Sequence, residues 1–304
     1  MEDVIVVGGS FAGLSAAMYL ARARRKVLVL DSGRPRNRYS AHSHGVLALD
    51  GRRGSEVLRI ARTQLAKYPT ATLVRVEVRH AVKRDGSLSF DVETGKGDRF
   101  ASRRLILATG LVDQRPSIPG LEERWGKSVF HCPYCDGYEF GNGPIGVLAT
   151  VPLSVHFAEI VADWGKVTLF TNQAIKVDDT ERASLRRRGI RLEDSPVSTL
   201  EGTSDGRLER VRLESGGAVP VRALFVATLY RQGATFAQDL GCEFVENPRG
   251  PLVKTDESKL TTVPGVYAAG DMARPTHSIL FATSDGATAG TSAHQSLVTE
   301  EHQR

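Results

Sequence analysis

A six-residue string near the N-terminus, Gly8-Gly9-Ser10-Phe11-Ala12-Gly13, constrains this chain more than any other feature. It follows a β-branched run, Val4 to Val7. It opens a segment from Ala12 to about Arg24 in which Leu14, Ala17, Met18 and Ala21 recur at helical spacing. Val27 to Leu30 reads as a second strand, and Asp31 ends it. Strand, glycine turn, helix and parallel strand in this order form a dinucleotide-binding unit. Gly8 allows the turn, and Gly13 lets the helix pack close on the strand. The helix N-terminus then offers free N–H groups and a positive dipole end to a pyrophosphate. Ser10 replaces the usual middle glycine; it crowds the phosphates slightly but brings a hydroxyl donor. Asp31 lies 18 residues beyond Gly13, where a ribose 2′-OH is expected.

The same pattern returns later. Thr72 to His80, Leu88 to Glu93 and Arg104 to Ala108 read as strands, with Asp85-Gly86 as a turn. After a stiff crossing, Pro116 to Gly120, come a strand Ile145 to Ala149, a helix Leu153 to Ala162 and a strand Val167 to Phe170. Weaker strands around Arg191, Val211 and Leu224 to Ala227 follow, then a linker-like stretch, Pro248 to Pro251. A strand, Val266 to Ala269, and a last helix, Leu280 to Leu297, complete the chain. The expected fold is α/β: two Rossmann-like three-layer domains, the second inserted in the first. The boundaries fall at 1–117 and 246–304 for the first domain and 118–245 for the insert. With 304 residues, two domains are what about 150 residues per domain allows.

Composition removes several classes. Hydrophobic residues make up 41% and charged residues 25%, which excludes a mostly disordered chain and collagen. Met1-Glu2-Asp3 and a short apolar run broken by Gly8-Gly9 do not make a signal peptide. No run nears the ~20 apolar residues of a membrane span. The expectation is a soluble, cytoplasmic protein. Net charge is +5, with basic clusters at Arg22 to Lys26, Arg103-Arg104 and Arg186 to Arg188. They are short, scattered and free of interleaved aromatics, so no nucleic acid is expected as partner.

The three cysteines are Cys132, Cys135 and Cys242. A secreted disulfide framework wants more, evenly paired. Zinc would need two further ligands; no second CxxC exists, and His131 adjoins the pair too closely to close a tetrahedron. Metal is therefore not expected. Cys132-Pro133-Tyr134-Cys135 reads instead as a redox pair: the spacing lets both sulfurs meet in one helical turn as a strained, reducible disulfide. Cys242 reads as a small buried hydrophobe.

Four ordered strings carry a family resemblance: VVGGSFAGLSAA at the start, LILATG at 105–110, HCPYCDG at 131–137 and GVYAAGD at 265–271, with DGATAGTSAHQSL at 285–297 in support. On these the chain resembles the low-molecular-weight thioredoxin reductase family of flavoproteins, from Val4 to Leu297. The resemblance implies one tightly bound FAD in the first domain and a homodimer. It gives as FAD contacts Gly8, Ser10, Phe11, Ala12, Gly13, Asp31, Ser32, Val78, Thr109, Gly110, Gly270 and Asp271, together with Arg36 and Asn37 at the adenosine half. His44 and Gly45 would lie near the flavin, His44 tuning it or relaying protons. The last helix, entered through His277-Ser278-Ile279, would point its positive end at the flavin. Cys135 would face the flavin as its adduct or charge-transfer partner, Cys132 would exchange with substrate, and Asp136 would move a proton to or from a thiol.

The second fingerprint departs from the family. Where G-x-G-x-x-A/G belongs, the chain has Ala149-Thr150-Val151-Pro152-Leu153-Ser154. Val151 puts a branched side chain where backbone must approach a pyrophosphate, and Pro152 removes an N–H. Thr171-Asn172-Gln173 stands where a basic triplet would grip the NADPH 2′-phosphate, and Leu229 replaces a glycine. These changes argue against NADPH. Relatives with a disabled site oxidise dithiols through flavin to oxygen, as the gliotoxin and holomycin disulfide-forming enzymes do, take electrons from ferredoxin, or hold a second FAD. Tyr230-Arg231 and Arg274 to His277 are candidates to border such a second FAD.

The reading is an FAD-dependent thiol-disulfide oxidoreductase, independent of NADPH and working in the thiol-oxidising direction. Its partner is a thioredoxin-like protein or a small dithiol, with an electron acceptor or donor still to be named. The alternatives are an NAD(P)H-dependent disulfide reductase with a divergent nucleotide site and a non-catalytic flavin redox sensor.

Overall fold

A computed structural model describes residues 1–303. The chain divides into two compact units. One comprises Met1–Arg38, Ser55–Val112 and the chain from Arg231 onward; the other comprises Tyr39–Gly54 and Asp113–Tyr230. Both are mixed α/β and built on parallel sheets, as expected. The breaks differ from the expected 117/118 and 245/246. Residues 231–245 stay with the first unit because Phe236, Ala237 and Cys242 are buried in its core beside Ile5, Leu28 and Leu107. Segment 39–54, expected in the first domain, groups with the second unit.

In the first unit the strands run in spatial order Ala71–Arg75, Val27–Asp31, Glu2–Val7 and Arg99–Leu107, all parallel. Val266–Ala268 also pairs with Arg99–Leu107, in parallel. Alternation explains the layering. Val4, Val6, Val27, Val29 and Ile106 face one core, with the first and last helices. Ile5, Val7, Leu28, Leu30, Leu105 and Leu107 face the other. A strand buried on both sides must read as a continuous apolar run, and these do.

The helices Phe11–Arg22 and Ile279–His302 cross at near-backbone contact. A Cβ on Gly286 would stand 2.0 Å from the carbonyl oxygen of Ala12, and one on Gly290 would stand 2.6 Å from that of Ala16. Gly286→Ala is therefore expected to destabilise the protein by about 3 kcal/mol, at the upper end of overpacking costs, and Gly290→Ala by less. Thermal denaturation of the two variants checks the order.

In the second unit the parallel order is Arg191–Glu193, Lys166–Phe170, Pro144–Leu148, Ala223–Val226 and Val129–Phe130. A separate antiparallel sheet joins Val197–Gly202, Leu208–Leu213 and Ala218–Pro220.

Three expectations need correction. The single strand Thr72 to His80 is two strands, Ala71–Arg75 and Val78–Lys83. The Val76 N–H donates to the Asp31 carbonyl, and the chain then turns to pair antiparallel with Phe90–Thr94. The alternation runs unbroken from Val74 to Arg79, across the break, so nothing local marks the turn. Pro248 to Pro251 is no domain linker; it belongs to the loop between the paired strands Phe244–Val245 and Leu252–Val253. Two helices, Gly54–Leu65 and Asp179–Arg187, were not expected. The second buries only Leu185 and starts on a capping box, Asp178 with Glu181, which the sequence does display.

Four of the nine basic residues in these clusters, Arg25, Arg103, Arg104 and Arg188, stand in ion pairs. Arg25 and Arg103 meet Glu301 at 2.8 and 2.6 Å, and Arg104 meets Glu300 at 2.9 Å. Among the described residues no helix is long and apolar enough to cross a membrane.

Candidate active site

In the first unit, the strand Glu2–Val7 ends at Gly8 and the helix starts at Phe11, with Ser10 as N-cap. Ser10 makes no side-chain cap bond, and the first turn holds no acidic residue. The helix end thus keeps its positive field for an anion. Gly13 is fixed by sterics: a Cβ there would stand 1.8 Å from the Gly8 carbonyl oxygen. Asp31 is buried at the end of its strand. Its Oδ1 accepts from the Gly33 N–H at 2.9 Å and from the Gly9 N–H at 3.3 Å, and its Oδ2 meets Arg62 at 3.0 Å. Arg62 also donates to the Gly9 carbonyl at 3.3 Å. Sequence reasoning missed Arg62, because it lies on the unexpected helix Gly54–Leu65. Ser32 is exposed next to Asp31, and Val78 is buried at the start of its strand.

A second cluster gathers around the N-terminus of the last helix. Arg36 Nη1 donates to Asp271 Oδ2 and to His277 Nδ1, both at 2.9 Å. Because arginine only donates, Nδ1 must be the bare nitrogen, and His277 Nε2–H donates to the Arg274 carbonyl at 2.9 Å. Burial, reinforced by the charges of Arg36 and Arg249, pushes His277 down to about 4, against the opposing pull of Asp271 and the Arg274 bond. The imidazole is neutral at physiological pH. Ser278 caps the helix by accepting from the Phe281 N–H at 3.1 Å, and its first turn carries no acid. Gly270, at φ 80°, precedes Asp271, and Ile279 begins the helix. Thr109 donates to the Met272 sulfur at 3.6 Å, and Gly110 accepts from the Gly233 N–H at 2.9 Å. Asn37 lies half-buried beside Arg36.

These features fit a dinucleotide with a flavin end. Two helices carry no acid in their first turns, and one carboxylate closes the second strand. A neutral histidine stands at the last helix.

The cysteine pair lies in the second unit, directly after Val129–Phe130. Cys132 is extended and caps a single helical turn, Pro133–Asp136, with Pro133 at its first position. Cys132 and Cys135 form a disulfide with Cα atoms 5.4 Å apart. The N–H groups of Cys135 and Asp136 both donate to the Cys132 carbonyl at 3.3 Å. Tyr134 is 74% exposed and sets an edge against Trp164, ring centres 5.3 Å apart. His131 stacks on Trp125 at 6.1 Å, and among the described residues no group of three His, Cys, Asp or Glu is placed to hold a metal ion.

Asp136 is the most perturbed acid of this site. Burial pushes it up to about 7, the charge of Glu139 adds to the rise, and His44 opposes it. The structure places His44 and Gly45 in the second unit. His44 stands 3.4 Å from Glu139, and Gly45 forms a turn at φ 68°. Sequence reasoning missed Glu139, although its place three residues after Asp136 was the available signal.

The turn after Pro144–Leu148 is filled from within. The N–H groups of Thr150 and Val151 point at Ser154 Oγ, at 3.2 and 3.4 Å, and Thr150 Oγ1 donates to the Ala227 carbonyl at 2.5 Å. Ser154 is fully buried. Thr171 is buried too, and Asn172 Oδ1 accepts from the Val197 N–H at 2.8 Å. Of the residues suggested for a second FAD, Tyr230 is only 2% exposed. Arg274 is engaged by Asp285 at 3.1 Å and by the Phe281 carbonyl at 3.2 Å. Arg231 is exposed, its Nη1 donating to the Gln232 carbonyl at 3.3 Å.

Comparison with known proteins agrees with this geometry. The pyridine nucleotide-disulphide oxidoreductase family matches residues 2–294. Thioredoxin reductase tcpT of Claviceps purpurea is 32% identical over 98% of this chain and 95% of its own. A crystal structure of an oxidoreductase from Agrobacterium tumefaciens superposes with TM-score 0.92 at 43% identity, covering 98% of this chain and 99% of that one. The crystal structure of HlmI does so with TM-score 0.94 at 37% identity, covering 99% and 94%. The chain therefore belongs to the pyridine nucleotide-disulphide oxidoreductase family, as a thioredoxin reductase-like FAD disulfide oxidoreductase.

Proposed function

We propose that this flavoenzyme oxidises an external dithiol at Cys132–Cys135, without using NADPH. The observation that carries this reading is the turn at Ala149–Ser154. In a phosphate-binding turn the backbone N–H groups wait for the ligand. Here those of Thr150 and Val151 already have an acceptor in the buried Ser154 hydroxyl, and Pro152 has none to give. A nicotinamide cofactor would have to displace a buried internal contact while facing the Val151 side chain.

In this reading Gly8 to Gly13, Asp31, Arg36, Asp271 and the helix starting at Ile279 hold one FAD per chain. Bound there, FAD supplies the acceptor for the electron pair collected by the cysteines. The chain's own chemistry is thiol–disulfide exchange. A substrate thiolate attacks the Cys132 sulfur, a new S–S bond forms, and Cys135 leaves as thiolate. The second substrate thiolate attacks the substrate sulfur of that mixed disulfide and expels Cys132. The substrate gains a disulfide, the pair is reduced by two electrons, and each substrate thiol gives up one proton. Asp136, held near neutrality, can take the first of these protons. The substrate is a thioredoxin-like protein, as the names of tcpT and other relatives suggest, or a small dithiol. A homodimer and a cytoplasmic location remain expectations of the same reading.

An anaerobic titration of FAD-loaded protein tests it. Dithiothreitol is expected to bleach the flavin band, while NADPH and NADH at micromolar concentration leave it unchanged. Rapid bleaching by NADPH would sink the NADPH-independent reading and make the chain an NAD(P)H-dependent disulfide reductase.

A further inference from the structure

Helix Gly54–Leu65 brings a cation to the first nucleotide turn. Leu58 and Leu65 are buried in the core shared with the first helix. Arg62 lies one turn from each on the same helix face, which carries it to the end of strand Val27–Asp31. Its Nη2 donates to Asp31 Oδ2 at 3.0 Å and to the Gly9 carbonyl at 3.3 Å, and both N–H groups of that nitrogen are thereby used. Its Nε is buried with no hydrogen-bond partner, and Nη1 has no acceptor among the described residues. The side chain is still 31% exposed. The N–H groups on Nη1 are therefore left for a ligand. Asp31 is the opposite case. Its Oδ1 accepts from the Gly33 N–H at 2.9 Å and the Gly9 N–H at 3.3 Å, and its Oδ2 accepts from Arg62. A carboxylate has about four lone-pair sites. Gly33, Gly9 and Arg62 take three of them, so one acceptor site remains, on Oδ2.

We propose that the adenosine ribose of FAD is read by Asp31 and Arg62 together: one ribose hydroxyl donates to Asp31 Oδ2, and the neighbouring hydroxyl accepts from the Arg62 guanidinium. The proposal rests on the assignment of Asp31 to FAD above. A carboxylate that takes both hydroxyls of a ribose, one on each oxygen, needs both oxygens open. Here Oδ1 is turned onto the backbone of Gly9 and Gly33. The turn is packed so closely on Asp31 that a Cβ on Gly9 would stand 2.7 Å from Asp31 Cβ. A hydroxyl accepts as well as donates, and arginine only donates, so the second hydroxyl and Arg62 are complementary. Arg75 is the other cation near Asp31. It is placed less well for this role: its Nη2 is spent on the Gly33 carbonyl at 3.1 Å, and its Nη1 stands 3.7 Å from Asp31 Oδ2.

The test measures FAD dissociation constants of the full chain, stripped of flavin, by quenching of flavin fluorescence. It uses the wild type, Arg62→Gln, Asp31→Asn and the double variant. Each single variant is expected to raise the constant about tenfold, the size of a hydrogen bond to a charged group. The double variant should lose well under about a hundredfold, because the two residues hold one ribose and are coupled to each other. A constant for Arg62→Gln within about twofold of wild type, or below it, overturns the proposal. Losses that simply multiply in the double variant overturn it too. FAD built on 2′-deoxyadenosine and on 3′-deoxyadenosine separates ribose reading from a structural role of Arg62. The wild type is expected to bind each analogue about fivefold or more weakly than FAD, since each hydroxyl has its own partner. In Arg62→Gln one of the two analogues should bind as well as FAD does. Asp31 alone, with one acceptor site, would register the loss of only one hydroxyl. A wild type that loses affinity with one analogue alone therefore overturns the proposal, whether or not Arg62→Gln folds. Failure of the underlying reading looks different: the wild type itself would bind no FAD.

Discussion

Cys135→Ser is expected to leave the flavin oxidised under excess dithiothreitol, with the bleaching rate down about a thousandfold or more. The reason is stoichiometric. The exchange written above needs one sulfur to receive the substrate and a second to leave, and the disulfide Cys132–Cys135 supplies both. Serine cannot form the S–S bond, so Cys132 would be left as an isolated thiol with nothing to expel. Cys132→Ser should be equally inactive, because it removes the sulfur that is attacked. FAD content, measured by absorbance after denaturation, should be unchanged in both, since neither cysteine is among the residues assigned to hold FAD. A variant that still bleaches within a few fold of wild type would show that electrons reach the flavin by another route. A wild type bleached neither by dithiothreitol nor by NADPH would point instead to the non-catalytic redox-sensor reading.

The second large effect falls on Asp136. Asp136→Asn keeps the shape and removes the proton acceptor, so dithiol oxidation should fall by about a hundredfold or more near neutral pH. The sign of the pH dependence follows from the same group. Burial first, and Glu139 second, raise Asp136 to about 7, so the acceptor form gains population as pH rises through that value. The wild-type rate should climb through about pH 7, and the variant should lack that limb. Stability runs the other way. A carboxyl raised in the folded state holds its proton where the unfolded chain has lost it, so wild-type stability should decline as pH rises from about 4 to about 7. Asp136→Asn should abolish that decline, and melting temperatures at pH 5 and pH 8 would show it. A variant that melts like wild type at both values would mean Asp136 is not held near neutrality.

Much of this site was legible in the chain because it is written locally. Gly8 to Gly13 must stand between strand and helix, and they do. The order of apolar runs gave both parallel sheets, and the two-residue spacing of Cys132 and Cys135 gave their bond. Arg36, Asp271 and His277, assigned separately through the family resemblance, meet in one hydrogen-bonded cluster. The misses share a cause. Helix Asp179–Arg187 buries one leucine and carries almost no apolar period. The break at Val76 depends on a bond to Asp31 from a strand 45 residues earlier in the chain, a distance no local pattern reports.

The sequence by itself thus determined the fold class, the redox pair and the loss of glycines from the second fingerprint, all of which are statements about neighbours in the chain. Only the tertiary structure decided what those residues face. It brought Arg62 onto Asp31 and Gly9, filled the Ala149 turn with the Ser154 hydroxyl, and set His44 against Glu139 beside the cysteine turn. Charge and burial act through space, so the state of a carboxyl such as Asp136 is fixed by groups that packing, not sequence distance, makes its neighbours.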